Sequence, residues 1–539
     1  MQKRSLQSLL LALILALALL VWLDAPTWLL FALLLILLGL VGGMMGQERP
    51  SPPPEPPRQA YPPEEFFVQE QIIVRGPRAE VETAVRAAGN PARLERLDFA
   101  GLDQRLRDCL AGCEDFDFAD FVIDLYHLSG SDRDIAAAIR AIEGAVGRGS
   151  SVRAEPNWLS GHPWDPTGSP WEPTGSPWDP TGSGSGGNQA QAAHFLTQWA
   201  FKEIGLAAGD SRAAGRGVRL GLFDTSPFAD REVSGGNGRS IPWVTEPAPL
   251  TLALVHYETP PATEERDLSS HGLFAAGIAH AVAPAADIQL IRVLNANNQG
   301  TMFSLNRALF DFIRANGVAA GQMGVVINLS LGIRLPPGEA GFDLPLEVQS
   351  LRDLLRLADC AGMVVVAAAG NDSANLPQPE PAHLPANWPT IIGVAGSTQE
   401  RERAAFSNRG ELAAPAGNGR YDQTTGKVLP ANDTCTAGDC PYALIGPVRQ
   451  TEGNSGFAYW SGTSFAAPMV AGLAALVIER GGGRLSPKEV RRIIECGLTP
   501  VEDGALGKGI IHIAHTLDNF ERCAAEYGIQ LEPPRQTSA

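Results

Sequence analysis

Three polar residues, far apart in the chain, carry side chains suited to nucleophilic hydrolysis. Asp224 follows the apolar run VRLGLF, His271 opens HGLFAAGIAHAV, and Ser464 opens SFAAPMVAGLAALVIE. Each alone has an ordinary explanation: a turn residue after a strand, a packed ring, a serine N-cap before a helix. Together they form a working set. A serine hydroxyl becomes a nucleophile when a neutral imidazole takes its proton, and the imidazole needs a carboxylate to fix its tautomer and stabilise its charged form. A helix start favours Ser464 further, because its own N–H and the helix dipole both face a developing oxyanion. Gly462, Ala466 and Ala467 are small enough for close approach. A fourth group, Asn371 in AAAGND, ends a buried apolar run, which places its amide at the sheet edge where an acyl oxygen would sit; its plainer reading is a turn residue after Gly370.

These groups need a rigid frame. From about Gln189, apolar runs alternate with helical segments: Val218 to Phe223, Ile288 to Leu294, Val325 to Leu331, Met363 to Ala367 and Ile391 to Val394 read as buried strands. Leu305, Ala308, Leu309, Phe312 and Ile313 keep helical spacing between them. Such alternation predicts an α/β domain with a mostly parallel sheet covered on both faces, where chemistry gathers at the carboxyl ends of strands. Upstream, the pattern reads strand, helix, strand, strand, helix, strand. Ile72 to Val74 opens it, Val81, Ala84, Val85 and Ala88 mark a helix face, and Phe121, Ile123 and Leu125 alternate. Ser131 with Asp134 gives a capping signature before Ile135, Ala138, Ile139 and Ile142, and the unit closes at SVRAEPNWL. A small ferredoxin-like α+β sandwich fits. Three heptads follow, PWDPTGS from Pro163, PWEPTGS from Pro170 and PWDPTGS from Pro177, with a Gly/Ser tail ending at Asn188. They read as an exposed linker, with a tryptophan docking element as the alternative.

In order, VRLGLFDTS, SSHGLFAAGIAH, INLSLG, VVVAAAGND and SGTSFAAPMVAG resemble the motifs of subtilisin-like serine proteases, the subtilases, over roughly Gln189 to Leu517. APAADIQLIRVLNANNQG, LPANWPTIIGVAGS, AAFSNRG and LSPKEVRRIIE match too. The resemblance implies a subtilisin-like three-layer fold with a mostly parallel central sheet. It also implies a serine endopeptidase acting on polypeptides through an acyl-enzyme, with Asp224, His271 and Ser464 as the triad and Asn371 as oxyanion donor. Ser330, Leu331 and Gly332 would then pair with the substrate backbone, and Ala368, Ala369 and Gly370 would wall the primary specificity pocket. The module ending in AEPNWL is similar to the family's inhibitory propeptides. That implies a zymogen whose propeptide is an intramolecular inhibitor, cut between Asn157 and Asn188. The sequence departs from the family pattern at Gly272, Leu273 and Phe274, where Gly-Thr-His is usual, at Phe465 in place of a methionine, and at Thr225, Ser226 and Pro227 after Asp224. No cofactor is required; structural calcium is compatible, yet no compact carboxylate loop marks a site. The competing class is a catalytically silent subtilase-fold binding or scaffold protein of the cell envelope. His271 and Asn371 exclude the sedolisin relatives, and the lack of GxSxG excludes an α/β-hydrolase.

The chain has 539 residues, 44% hydrophobic and 19% charged, which allows two to four modules and a large core and excludes a disordered chain or a disulfide miniprotein. A net charge of -17 without a basic run in the globular part excludes nucleic acid as a partner. After Lys3 and Arg4, Leu9 to Leu23 and Trp28 to Met45 are apolar, broken at Asp24, Ala25, Pro26 and Thr27. As helices these cover roughly 22 and 27 Å against a hydrocarbon core of about 30 Å, so they read as membrane segments. Two spans behind a basic start return the body to the cytoplasm. The paired cysteines, Cys109 with Cys113, Cys435 with Cys440 and Cys496 with Cys523, with Cys360 left odd, point instead to an oxidising compartment. A first run acting as signal peptide, or a single span, reconciles the two. The reading taken is a membrane-associated protein with an extracytoplasmic catalytic domain. His512 and His515 lack acidic partners in sequence and read as a packed terminal segment rather than a metal site. The organisation is 1–48 membrane-anchoring segments, 49–64 Pro-rich spacer, 65–160 propeptide-like α+β domain, 161–188 repeat linker, 189–517 subtilisin-like catalytic domain and 518–539 C-terminal tail.

Overall fold

The computed structural model describes residues 66–102, 120–129, 134–147, 149–161, 194–206, 213–230, 239–241, 250–261, 268–317, 324–333, 347–373, 378–418, 443–449 and 456–531, with single positions between some of these ranges. The expectations for the N-terminal apolar runs, the spacer, the heptads, Ser131, Cys109, Cys113, Cys435 and Cys440 lie outside the described residues.

The N-terminal module comprises β1 (Phe67–Pro77), α1 (Arg78–Ala87), β2 (Ala92–Asp98), β3 (Phe121–His127), α2 (Ile135–Gly144) and β4 (Arg153–Gly161). Its strands pair antiparallel in the order β4-β1-β3-β2. The central strands bury Ile72, Ile73, Val74, Val122 and Ile123, and the helices add Val81, Ala84, Val85, Ile135, Ile139 and Ile142. Asp134 caps α2 by accepting the Ala137 N–H at 3.1 Å.

The main domain is built on β5 (Val218–Asp224), β6 (Arg239–Ile241), β7 (Leu250–His256), β8 (Asp287–Arg292), β10 (Gly324–Leu329), β12 (Val364–Ala368), β13 (Ile392–Ser397) and β14 (Leu412–Pro415). They lie in the order β14-β13-β12-β10-β5-β8-β7-β6, all parallel except the β6–β7 edge. Further helices are α3 (Trp199–Glu203), α4 (His271–Val282), α5 (Met302–Asn316), α6 (Gln349–Cys360), α7 (Thr463–Arg480), α8 (Pro487–Cys496), α9 (Ile513–Asp518) and α10 (Phe520–Glu526). Alternation along β5 sends Leu220 and Leu222 into the core shared with α4 and α7, while Phe223 meets Phe312 of α5 on the other face. By length and composition α7 could cross a membrane, but 89% of it is buried inside the domain. A helix apolar all round has its place at the centre of a core. The packing runs past Leu517, since Phe520, Ala524 and Ile529 join that core. Cys496 and Cys523 form a disulfide from α8 to α10. Cys360 is also disulfide-bonded, which corrects the expectation of an odd cysteine.

Two short strands, β9 (Gln299–Thr301) and β11 (Gly332–Ile333), pair antiparallel with β4, so the module's sheet continues into the main domain. Gly161 stands opposite both Gly332 and Gln299, and Ser160 opposite Ile333 and Gly300.

Candidate active site

The sheet delivers Asp224 as the last residue of β5, and the N-terminus of α4 delivers His271 beside it. Gly272 permits this approach: a Cβ there would lie 2.2 Å from the Thr225 carbonyl oxygen and 2.9 Å from Asp224 Cβ. Thr225 locks the junction, donating to Ser269 O at 2.8 Å and accepting from the Gly272 N–H at 3.0 Å. Asp224 Oδ1 lies 2.7 Å from His271 Nδ1, with both side chains fully buried. A carboxylate can only accept, so Nδ1 carries the hydrogen and Nε2 keeps its lone pair. His271 Nε2 is buried without a hydrogen-bond partner.

Ser464 is the second residue of α7, after Gly462, whose φ of 150° suits glycine. The helix starts on Asn371: its Oδ1 accepts from Thr463 N and from Thr463 Oγ1, each at 2.9 Å. With Oδ1 held by two donors, the Asn371 Nδ2 hydrogens are turned the other way. Pro468 has no N–H for the Ser464 carbonyl one turn back, and Ser330 Oγ takes that carbonyl at 2.6 Å. Ser464 Oγ in turn donates to Ser330 O at 3.4 Å. The hydroxyl therefore rests on the Ser330 strand rather than on His271.

The departures at Phe274 and Phe465 are one structural unit. Their rings pack at 4.4 Å between centroids, and Trp460 closes on both. Phe465 and Trp460 also lie 5.0 and 5.3 Å from the His271 ring, so this cluster keeps water from the imidazole.

Ser330, Leu331, Gly332, Ala368, Gly370, Asn371, Thr463 and Ser464 line one small cavity. Ala369, expected as wall, contributes its carbonyl behind it, accepting from His383 N–H at 2.9 Å. His383 completes the lining and was not singled out from sequence; no spacing rule marks a lone histidine whose partners are distant. A second missed group is His256, whose Nδ1 meets Asp230 at 2.8 Å and whose Nε2 meets Ser226 at 2.9 Å. It ties β7 to the segment after Asp224. Among the described residues no group of three or more His, Cys, Asp and Glu side chains is placed to hold a metal ion.

Residues 254–507 match the model of the Subtilase family, a span holding His271, Asn371 and Ser464 but not Asp224. The thermophilic serine proteinase of Bacillus sp. (strain AK1) is 31% identical over 239 residues, 42% of this chain and 47% of that protein. Subtilisin-like protease PopC of Myxococcus xanthus (strain DK1622) is 30% identical over 298 residues, 52% of this chain and 55% of that one. Thermitase of Thermoactinomyces vulgaris is 30% identical over 239 residues, 42% of this chain and 66% of that one. The chain thus spans about half to two thirds of the length of these curated relatives. On the family match, these relatives and the parallel α/β sheet together, the chain carries a domain of the subtilase family of serine proteases.

Proposed function

We propose that the chain is a serine endopeptidase made as a membrane-tethered zymogen, with its catalytic domain outside the cytoplasm. The observation that carries this reading is the buried Asp224–His271 bond at 2.7 Å, which leaves Nε2 without a partner on a ring packed 5.0 Å from that of Phe465, the residue after Ser464. In the proposed reaction Ser464 Oγ leaves the Ser330 carbonyl and hydrogen-bonds to that nitrogen. Nε2 then accepts the hydroxyl proton as Oγ attacks the peptide carbonyl, and Asp224 stabilises the imidazolium. Negative charge on the carbonyl oxygen falls to Asn371 Nδ2 and the Ser464 N–H. Collapse expels the amine, which leaves with the proton from Nε2, and water hydrolyses the acyl-enzyme by the same base. The reaction needs no cofactor.

The zymogen reading rests on β4. Its pairing with β9 and β11 fills the two backbone edges that an extended substrate would use. Glu155 anchors the strand by accepting from the N–H groups of Gln349 and Ser350 at the start of α6, at 2.6 and 2.9 Å. Asn157 Oδ1 accepts the Phe303 N–H at 3.0 Å. Self-cleavage after Gly161 and before Asn188 would sever the anchor from the catalytic domain while these contacts persist.

A silent scaffold is the second reading, favoured by one observation, the resting of Ser464 Oγ on Ser330. Hydrolysis of an unbiased peptide mixture, with sequencing of the N-terminus of the active species, separates the two. The peptidase account expects turnover and a new N-terminus between residues 162 and 188, both lost in Ser464→Ala. An inert but fully folded wild-type chain contradicts it.

A further inference from the structure

We infer that His383 is the specificity-determining residue of the primary pocket, restricting the residue before the scissile bond to small side chains and favouring a hydroxyl among them. The inference rests on the peptidase reading and assigns its substrate class.

The backbone carries His383 between the two pocket walls. Its N–H donates to Ala369 O at 2.9 Å, behind the wall that ends β12, and the next carbonyl, Leu384 O, accepts from Ile333 N–H at 2.8 Å on β11. The ring then spans the gap. A Cβ built on Gly332 would lie 3.2 Å from His383 Nδ1, and one built on Gly370 would lie 3.1 Å from its Cγ. Glycines on opposite walls thus leave room for one imidazole, which a Cβ on either would crowd. Asp372 holds it there, with its Oδ2 2.7 Å from His383 Nε2. Asp372 is itself fixed by Asn408, which accepts its N–H at 3.0 Å and donates to its Oδ2 at 3.3 Å. The ring is clamped at the backbone and at its far end, so it does not swing aside for a bulky ligand.

The cavity lined by Ser464, Asn371 and the ring has a volume of about 10 Å³, on the order of a single water. A methyl or hydroxymethyl group fits after displacing that content. Leucine or phenylalanine would force the walls apart in a close-packed site, and overpacking of this kind is costly. The polar character follows from the tautomer. With Nε2–H directed at the Asp372 carboxylate, Nδ1 is a bare acceptor, and it is buried without a partner. A serine or threonine hydroxyl at this position would donate to it; alanine would leave it unsatisfied.

The test is a peptide series varied only at the residue before the scissile bond, as alanine, serine, leucine or phenylalanine, assayed on the purified full chain after fluorophosphonate titration of active sites. Wild type is expected to favour alanine and serine over phenylalanine by about 100-fold or more in kcat/KM, and serine over alanine by several-fold. His383→Gly, with His383→Ala as the second variant, should shift the phenylalanine-to-alanine ratio by at least about 30-fold and erase the serine advantage. A labelled wild type that cleaves after phenylalanine as fast as after alanine overturns the pocket assignment and leaves the peptidase reading standing. So does a labelled variant with an unchanged profile. A folded chain that takes no label overturns both.

Discussion

The main domain and the N-terminal module meet along β4, and different forces hold each. The main domain closes on apolar burial: α7 runs through its centre, packed on all sides by aliphatic and aromatic side chains. The module adds buried charge to its apolar contact with the main domain, where Phe99 packs on Phe310 of α5 at 5.1 Å. Arg75 of β1 reaches Asp353 of α6 at 2.9 Å with both side chains nearly excluded from water, and Glu155 lies fully buried on the same helix start. Apolar packing is insensitive to pH and tolerates no gap; buried charges in contact are sensitive to both pH and partner loss. On the zymogen reading, the frame around Asp224 and His271 stays in place while β4 is the element expected to be released.

The sharpest way to break this contrast is inside the frame. Ser464→Ala should lower turnover by on the order of 10⁶-fold, and adding Asp224→Ala should cost little more, because residues that act as a unit are not additive. Turnover numbers for the single and double variants check it; two large independent losses would contradict a single unit. Asn371→Ala comes next, with about a 100- to 1000-fold loss in kcat and little change in KM, as befits a donor used only in the transition state.

At the module, Arg75→Ala leaves Asp353 buried beside no cation. Breaking a buried pair of this kind costs about 3 kcal/mol or more, on the order of 100-fold in docking. The rate at which activity appears during self-processing reports it, and a rate like that of wild type would mean the charges do not hold the strand. The smallest effect is pH. Burial pushes the Glu155 carboxyl from 4.5 up to about 7 in spite of its two N–H donors, and the Asp353 carboxyl from 3.8 up to about 6 against the pull of Arg75. A carboxyl raised in the docked state takes up a proton there, so docking is strongest at low pH. It weakens as pH rises from about 4.5 through about 7. Release measured at pH 5.5 and at pH 8 should be faster at the higher value, and Glu155→Gln should flatten the difference.

Much of the frame was legible in the sequence, because a strand buried on both faces writes itself as a continuous apolar run. The five runs became β5, β8, β10, β12 and β13, adjacent and parallel. Asp224, His271, Asn371 and Ser464 stood out by their places at strand ends and helix starts and by the motifs around them, with the small residues Gly462, Ala466 and Ala467 marking a close approach at Ser464. What escaped depends on contacts between distant segments. Phe274 and Phe465 read as separate departures and are one packed pair. Ser330 read only as a backbone partner, and its hydroxyl replaces the bond that Pro468 cannot make. His383 carries no local signal, since its partners Ala369, Asp372 and the glycine walls come from elsewhere in the chain.

The central claim is that Asp224 and His271 make Ser464 a nucleophile, and labelling of the purified chain by a fluorophosphonate, followed by peptide mapping, tests it most directly. The account predicts one adduct, on Ser464, absent from Ser464→Ala and strongly reduced in His271→Ala. A folded chain without an adduct, or with one that persists after Ser464→Ala, contradicts it.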